Sequence, residues 1–221
     1  MPSTPRSVYV GALAAVALLG GFGLIADAVT DGDTLDFNNA VLLALRTPGN
    51  PAEPIGPSWF NEAVRDITGL GSFSVLGIVT IVVFAYLVLA GKQRTGWFMV
   101  AAVVGGTILS TVLKMLFDRP RPELTGVAEV FTASFPSGHA TVSAVVFLTI
   151  GAMLAAASPE RRLQWFYLGV AIVLTVLVGV SRIYLGVHYP TDVLAGWSLG
   201  AAWALLCTTA ARYLREREAS A

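Results

Sequence analysis

The side chains able to do chemistry collect at a few points of a very apolar sequence. His139 and His188 are the two histidines of the chain, and His188 precedes Asp192 by four residues, so the two side chains can approach across a helix start. A carboxylate beside an imidazole orients the ring, selects its tautomer and stabilises charge that develops on it. His188 therefore reads as a nucleophile, and His139 as the acid that protonates a leaving group and later the base that activates water. Three cations, Lys114, Arg121 and Arg182, fall near the same helix ends without a matching run of carboxylates. Ser137 and Gly138, just before His139, add a hydroxyl and an unobstructed backbone approach. A phosphoryl group suits this set, because its transfer depends mainly on positioning and electrostatic stabilisation.

Each residue alone has a plainer reading. A lone Lys or Arg at a helix end snorkels to the membrane surface. Pro136 with Ser137 is a helix-start signal, and Asp192 is a first-turn partner for a helix dipole. These readings do not explain why three cations and both histidines fall on one side of the chain's topology.

The elements that must position them follow from composition. The 221 residues are 55% hydrophobic and 13% charged, about half the charge of a soluble domain. Six runs, at 8–26, 72–90, 98–113, 140–157, 163–181 and 193–211, carry no charge. Each approaches the roughly 20 residues that cross a hydrocarbon core, and backbone in lipid must satisfy its own hydrogen bonds, so the runs predict helices. The expected fold is all-α: one polytopic membrane domain over 1–221, with six transmembrane helices at about 8–28, 72–90, 97–117, 139–157, 163–182 and 191–211. The first run exceeds the roughly 7–15 residues of a signal-peptide core and reads as a retained helix. A single cysteine, Cys207, allows no intrachain disulfide and no cysteine metal site, and zero net charge does not suggest nucleic acid.

Six spans sort the loops onto two sides. One holds Arg6, Lys92, Arg94, Arg161, Arg162, Arg212, Arg215 and Arg217; the other holds Arg46, Arg65, Lys114, Arg119, Arg121 and Arg182. The more basic side is normally cytoplasmic, which puts both termini there and the histidines outside. Helices four and six then begin at the outer face, their free N–H groups and positive dipole ends pointing at any bound anion. In the long connection 30–71, the segments 37–46 (Val41, Leu42 and Leu45 on one face) and 59–67 read as short interfacial helices, separated by prolines that break helices. Asp31, Asp33 and Asp36 read as a solvated turn, since the glycine and distal glutamate of a calcium loop are not at the required spacing. Gly105 and Gly106, and Gly196 and Gly200, permit close helix contacts, within one bundle or between two copies.

The sequence resembles the type 2 phosphatidate phosphatase superfamily. The resemblance rests on three linked motifs: Lys114, six residues, then Arg121-Pro122; Pro136-Ser137-Gly138-His139; and Ser181-Arg182, five residues, His188, three residues, Asp192. All three match in order and spacing. The resemblance implies phosphate binding by Lys114, Arg121, Ser137, Gly138 and Arg182, and catalysis by His188, His139 and Asp192 without metal or other cofactor. It also implies a phosphorylated lipid as substrate, among the small bacterial six-helix enzymes that act on undecaprenyl pyrophosphate, phosphatidylglycerophosphate or phosphatidate. A polyprenyl pyrophosphate is the first expectation, on the analogy of an outward-facing site that recycles a lipid carrier. Three other functions fit parts of the pattern: a phosphotransferase, a vanadate-dependent peroxidase, which six spans disfavour, and a transporter or binding protein for a phosphorylated lipid. The oligomeric state stays open.

Overall fold

The computed structural model describes residues 6–124 and 132–219. It is mainly helical: α1 (Arg6–Thr30), α2 (Leu35–Ala44), α3 (Ser58–Gly69), α4 (Phe73–Leu89), α5 (Gln93–Phe117), α6 (Gly138–Ala157), α7 (Arg161–Tyr184) and α8 (Pro190–Ala219). Helices α1, α5, α6, α7 and α8 are long and apolar enough to cross a membrane. α3 and α4, bent by 49° at a short break, make a sixth span if they are taken together.

The apolar runs all coincide with helices, Ser72 and Ala90 of the second standing as the caps of α4, but two features differ from the sequence reading. The chain is not purely α. Strands β1 (Arg46–Thr47) and β2 (Asn50–Pro54) pair antiparallel after α2. The prolines read as helix breakers also make this turn: Pro48 and Gly49 stand at its centre, and Gly49 has φ of 83°, the conformation a proline–glycine turn requires. Arg46, expected to close a helix, instead lies buried in β1 and donates from Nη1 to the Tyr184 carbonyl at 3.0 Å, which pins the hairpin to the end of α7. α8, expected to end near residue 211, runs on to Ala219. In the connection, α2 and α3 are helices as anticipated, with Leu42 and Val64 buried, while Asp31, Asp33 and Asp36 are exposed.

α6 is the hub. It packs against α5, α7 and α8, and α1 lies along the outside of α8. Its apolar window is 56% buried, against 6% for that of α1. The outer helices turn large apolar side chains outward, among them Leu13, Ile81, Leu116 and Ile172. This inversion is expected where the surrounding solvent is hydrocarbon, because close packing and hydrogen bonds, not exclusion from water, then hold helices together. Two indoles supply such bonds: Trp197 Nε1 donates to the Thr175 carbonyl of α7 at 3.0 Å, and Trp203 Nε1 to the Ala102 carbonyl of α5 at 2.7 Å. Gly179, and Gly105 with Gly106, leave room for those rings.

Gly196 and Gly200 settle against α6 of the same chain. A Cβ on Gly200 would lie 2.5 Å from the Thr141 carbonyl oxygen and 2.6 Å from Ala144 Cβ; one on Gly196 would lie 2.9 Å from the Ser137 carbonyl oxygen. The pair therefore makes an internal seam that draws the starts of α6 and α8 together. Gly200→Leu should lower stability in detergent by about 1–3 kcal/mol through overpacking. Gly20→Leu, where nothing stands within 4 Å, should cost nothing measurable. Thermal melts of both variants test this, and equal midpoints would remove the seam.

Candidate active site

The C-terminal ends of α5 and α7 and the N-terminal ends of α6 and α8 meet at one end of the bundle, and the eight candidate site residues Lys114, Arg121, Ser137, Gly138, His139, Arg182, His188 and Asp192 lie there. Ser137 is the N-cap of α6: its Oγ accepts from Ala140 N at 3.5 Å, and its own N–H donates to the Asp192 carbonyl at 3.0 Å, joining the two helix starts. Pro190 opens α8, where a missing N–H costs nothing, and Asp192 lies in its first turn. α5 ends in Asp118 with φ of 41°, a left-handed residue of a type that tolerates it, and the chain then turns into Arg119 and Arg121. The Lys114 stem passes over Gly138, where a Cβ would lie 3.2 Å from Lys114 Cε.

The three predicted anion-binding cations converge, each held by neutral acceptors. Lys114 Nζ donates to the Ala133 carbonyl at 2.7 Å. Arg121 donates from Nε to the Thr132 carbonyl (2.9 Å), from Nη2 to Thr132 Oγ1 (3.0 Å) and from Nη1 to the Val187 carbonyl (2.8 Å). Arg182 Nη1 donates to Thr68 Oγ1 at 3.0 Å, and Arg182 Nε is buried without a hydrogen-bond partner among the described residues. The charges of Arg182, Arg121 and Lys114 and the imidazole of His188 all act on His139. The His139 ring lies beside Gly71 at the α3–α4 break, 3.4 Å from where that residue's Cβ would be.

His188 is buried, with Arg121 Nη1 3.3 Å from its Nε2 and Asp192 Oδ2 3.4 Å from its Nδ1. Burial pushes the imidazole down to about 3, against the hydrogen bond and charge of Asp192, while Arg121 and Lys114 push the same way as burial. The ring is therefore neutral at physiological pH and keeps a lone pair. Burial also lowers the Arg121 guanidinium, and the Asp192 carboxylate opposes this.

Several residues here escaped the sequence reading. Arg119, assigned no role, donates from Nη1 to Asp192 Oδ1 at 2.6 Å and to Thr191 Oγ1 at 3.1 Å, and its guanidinium lies 4.3 Å from the centre of the Tyr189 ring. Asn38 of α2 is fully buried; its Nδ2 donates to Thr191 Oγ1 at 3.0 Å, and its Oδ1 accepts from Thr191 N at 3.2 Å. An amide on the apolar face shared with Val41 and Leu42 was a readable signal. Ser134, whose Oγ donates to Asp192 Oδ2 at 2.5 Å, had none. The loop 123–134 is described only in part, since 125–131 lie outside the described residues. A cavity of about 390 Å³ beside Arg121 is lined by Asn39, Leu43, Glu123, Leu124 and Tyr189 among others.

A family model described as the PAP2 superfamily matches residues 95–216. The chain is 36% identical over 164 residues to phosphatidylglycerophosphatase B of Bacillus subtilis (strain 168), spanning 73% of this chain and 80% of that protein. It is 36% identical over 103 residues to an undecaprenyl-diphosphatase of Sulfolobus acidocaldarius, spanning 46% of each. The crystal structure of a transmembrane PAP2 type phosphatidylglycerolphosphate phosphatase from Bacillus subtilis superimposes with a TM-score of 0.82 at 31% identity, over 90% of this chain and 96% of that one.

The Arg119–Asp192 pair, 9% and 0% exposed, yields a stability test. Arg119→Leu leaves a buried carboxylate short of a cation and should cost about 3–5 kcal/mol. Arg212→Leu, at an exposed position of α8, should stay within about 0.5 kcal/mol. Denaturation of both in detergent is the measurement, and equal losses would show that the pair does not hold the site.

Proposed function

The chain belongs to the PAP2 superfamily and is a membrane lipid phosphatase of that type; we propose that it works through a phosphohistidine on His188. The observation that carries this reading is the meeting of Arg121 Nη1 with His188 Nε2 at 3.3 Å. A phosphate oxygen drawn to Arg121 brings phosphorus to the lone pair of Nε2. Lys114 and Arg182 take further oxygens, along with the N–H groups at the start of α6. Nε2 attacks in line, and the bond from phosphorus to the lipid oxygen breaks as His139 gives its proton to that oxygen. His139 then takes a proton from water, whose oxygen attacks phosphorus; the P–N bond breaks and inorganic phosphate leaves. The residues supply cations where a two-metal site would need carboxylates, and among the described residues no three His, Cys, Asp or Glu side chains gather as metal ligands.

α4 is the sixth span in this reading, entered from α3 through the 49° bend, with α2 and α3 lying at the outer membrane surface. Both termini are cytoplasmic and the site faces outward. Arg212 and Arg215 of α8, Lys92 and Arg94 at the start of α5, and Arg161 and Arg162 at the start of α7 all stand at the end opposite the histidines. For substrate, a relative 36% identical over most of both chains is named for phosphatidylglycerophosphate, and one matched over 46% is named for undecaprenyl diphosphate. That order puts phosphatidylglycerophosphate first and polyprenyl pyrophosphate second.

Phosphate release by the purified protein with chelator present, from phosphatidylglycerophosphate, undecaprenyl pyrophosphate, phosphatidate and a soluble ester, tests the reading. Turnover should resist the chelator, be fastest on phosphatidylglycerophosphate, and fall about a thousandfold or more in His188→Ala. Turnover that survives the substitution would overturn the histidine mechanism, and a faster rate on the pyrophosphate would reverse the substrate order.

A further inference from the structure

Ser134 lies outside all three sequence motifs, yet its hydroxyl stands between the two residues most directly involved in nucleophilic attack. Ser134 Oγ is 2.5 Å from Asp192 Oδ2 and 3.3 Å from His188 Nδ1. The direct separation of His188 Nδ1 and Asp192 Oδ2 is 3.4 Å, longer than an ordinary N–H···O bond of about 2.7–3.2 Å.

The proton positions follow from what each group can do. A guanidinium only donates, so Arg121 Nη1 beside His188 Nε2 requires a lone pair on that nitrogen. A neutral imidazole then carries its proton on Nδ1. The Asp192 carboxylate only accepts, so the Ser134 O–H points at Oδ2, and the free lone pairs of Oγ face Nδ1–H. The continuous path is His188 Nδ1–H to Ser134 Oγ, then Ser134 O–H to Asp192 Oδ2. Its middle and its acceptor end are fixed. The Ser134 N–H donates to the Arg119 carbonyl at 2.8 Å, which locates the hydroxyl. Arg119 on Oδ1, at 2.6 Å, and the Tyr189 N–H on Oδ2, at 2.9 Å, hold the carboxylate.

We propose that Ser134 is a positioning residue that relays the Asp192 carboxylate to the His188 imidazole, an inference that rests on His188 being the nucleophile. As Nε2 bonds to phosphorus, positive charge spreads to Nδ1–H, and there it meets a hydroxyl already polarised by the carboxylate. The proton stays on Nδ1 throughout. The relay selects the nucleophilic tautomer and stabilises the charged ring while making no contact with the substrate.

The test uses the full chain in detergent: wild type, S134A, S134T and His188→Ala, with kcat, KM and pH profile on a lipid phosphate. Because the chain has two histidines, ¹⁵N-histidine labelling also reads the His188 tautomer by NMR without turnover. Wild type should show the proton on Nδ1. S134A should lose about tenfold or more in kcat with KM nearly unchanged, should shift the pH profile, and should alter the His188 nitrogen signals. S134T, which keeps the hydroxyl, should recover much of the loss. A folded S134A with wild-type kcat and pH profile, beside an inactive His188→Ala, would overturn the relay alone; activity in His188→Ala would overturn the nucleophile and the relay with it. If S134A does not fold, the wild-type tautomer decides, and a proton on Nε2 would overturn the proposal.

Discussion

A carboxylate fully removed from water at the start of a membrane-embedded helix is tenable only if donors and a cation surround it. Asp192 is 0% exposed, in the first turn of α8. Arg119 serves Oδ1, while Ser134 and the Tyr189 N–H serve Oδ2, with His188 beside them. These partners come from the loop after α5, the segment before α6 and the turn before α8. Three stretches far apart in sequence are thus tied to one side chain. The Ser137 N–H on the Asp192 carbonyl adds the start of α6. Satisfying this carboxylate and assembling the candidate site at this end of the bundle are one structural event.

The cations obey a different constraint. Lys114, Arg121 and Arg182 stand close enough to repel one another, and ion pairs with carboxylates would quench their attraction for any anion. They are held instead by dipoles: the Ala133, Thr132 and Val187 carbonyls and the Thr132 and Thr68 hydroxyls. Dipoles orient a cation without cancelling its charge, so the field at the site stays positive and prepared for an anion. Thr132, Ala133 and Ser134 are consecutive residues, and each grips a different part of the site. A short strap therefore coordinates the two cations of the first motif with the acidic residue of the third.

Helix packing sets the scale on which this works. Hydrocarbon offers no hydrophobic force between helices, so contact must come from small residues and internal hydrogen bonds. Gly196 and Gly200 let α8 approach α6 until backbone touches Cβ-free backbone, and the Trp197 and Trp203 indoles bond α8 to α7 and α5. The four helix ends that carry the candidate site are thereby held at fixed separations. α3, through Thr68 on Arg182, and α2, through Asn38 on Thr191, close the reactive end from the side.

The apolar runs, the two histidines, the three cations and their motifs were legible in the chain itself, because hydropathy is additive along a segment and motif spacing is local. Helix existence needed no tertiary knowledge, since backbone in lipid has one way to satisfy itself within a segment. The hairpin at Arg46 and the extension of α8 were not legible. A proline–glycine turn reads equally as loop, and a charged helix end beyond the membrane has no hydropathy signal. Only the folded chain decided that Arg119 neutralises Asp192 and that Ser134 stands beside His188. Only there, too, do Gly196 and Gly200 face α6 rather than a second copy. Those contacts join residues 54 to 73 positions apart, or two helix faces, and distance along a sequence carries no angle. Sequence determined which side chains are available for chemistry; the meeting of four helix ends around one buried carboxylate decided which of them touch.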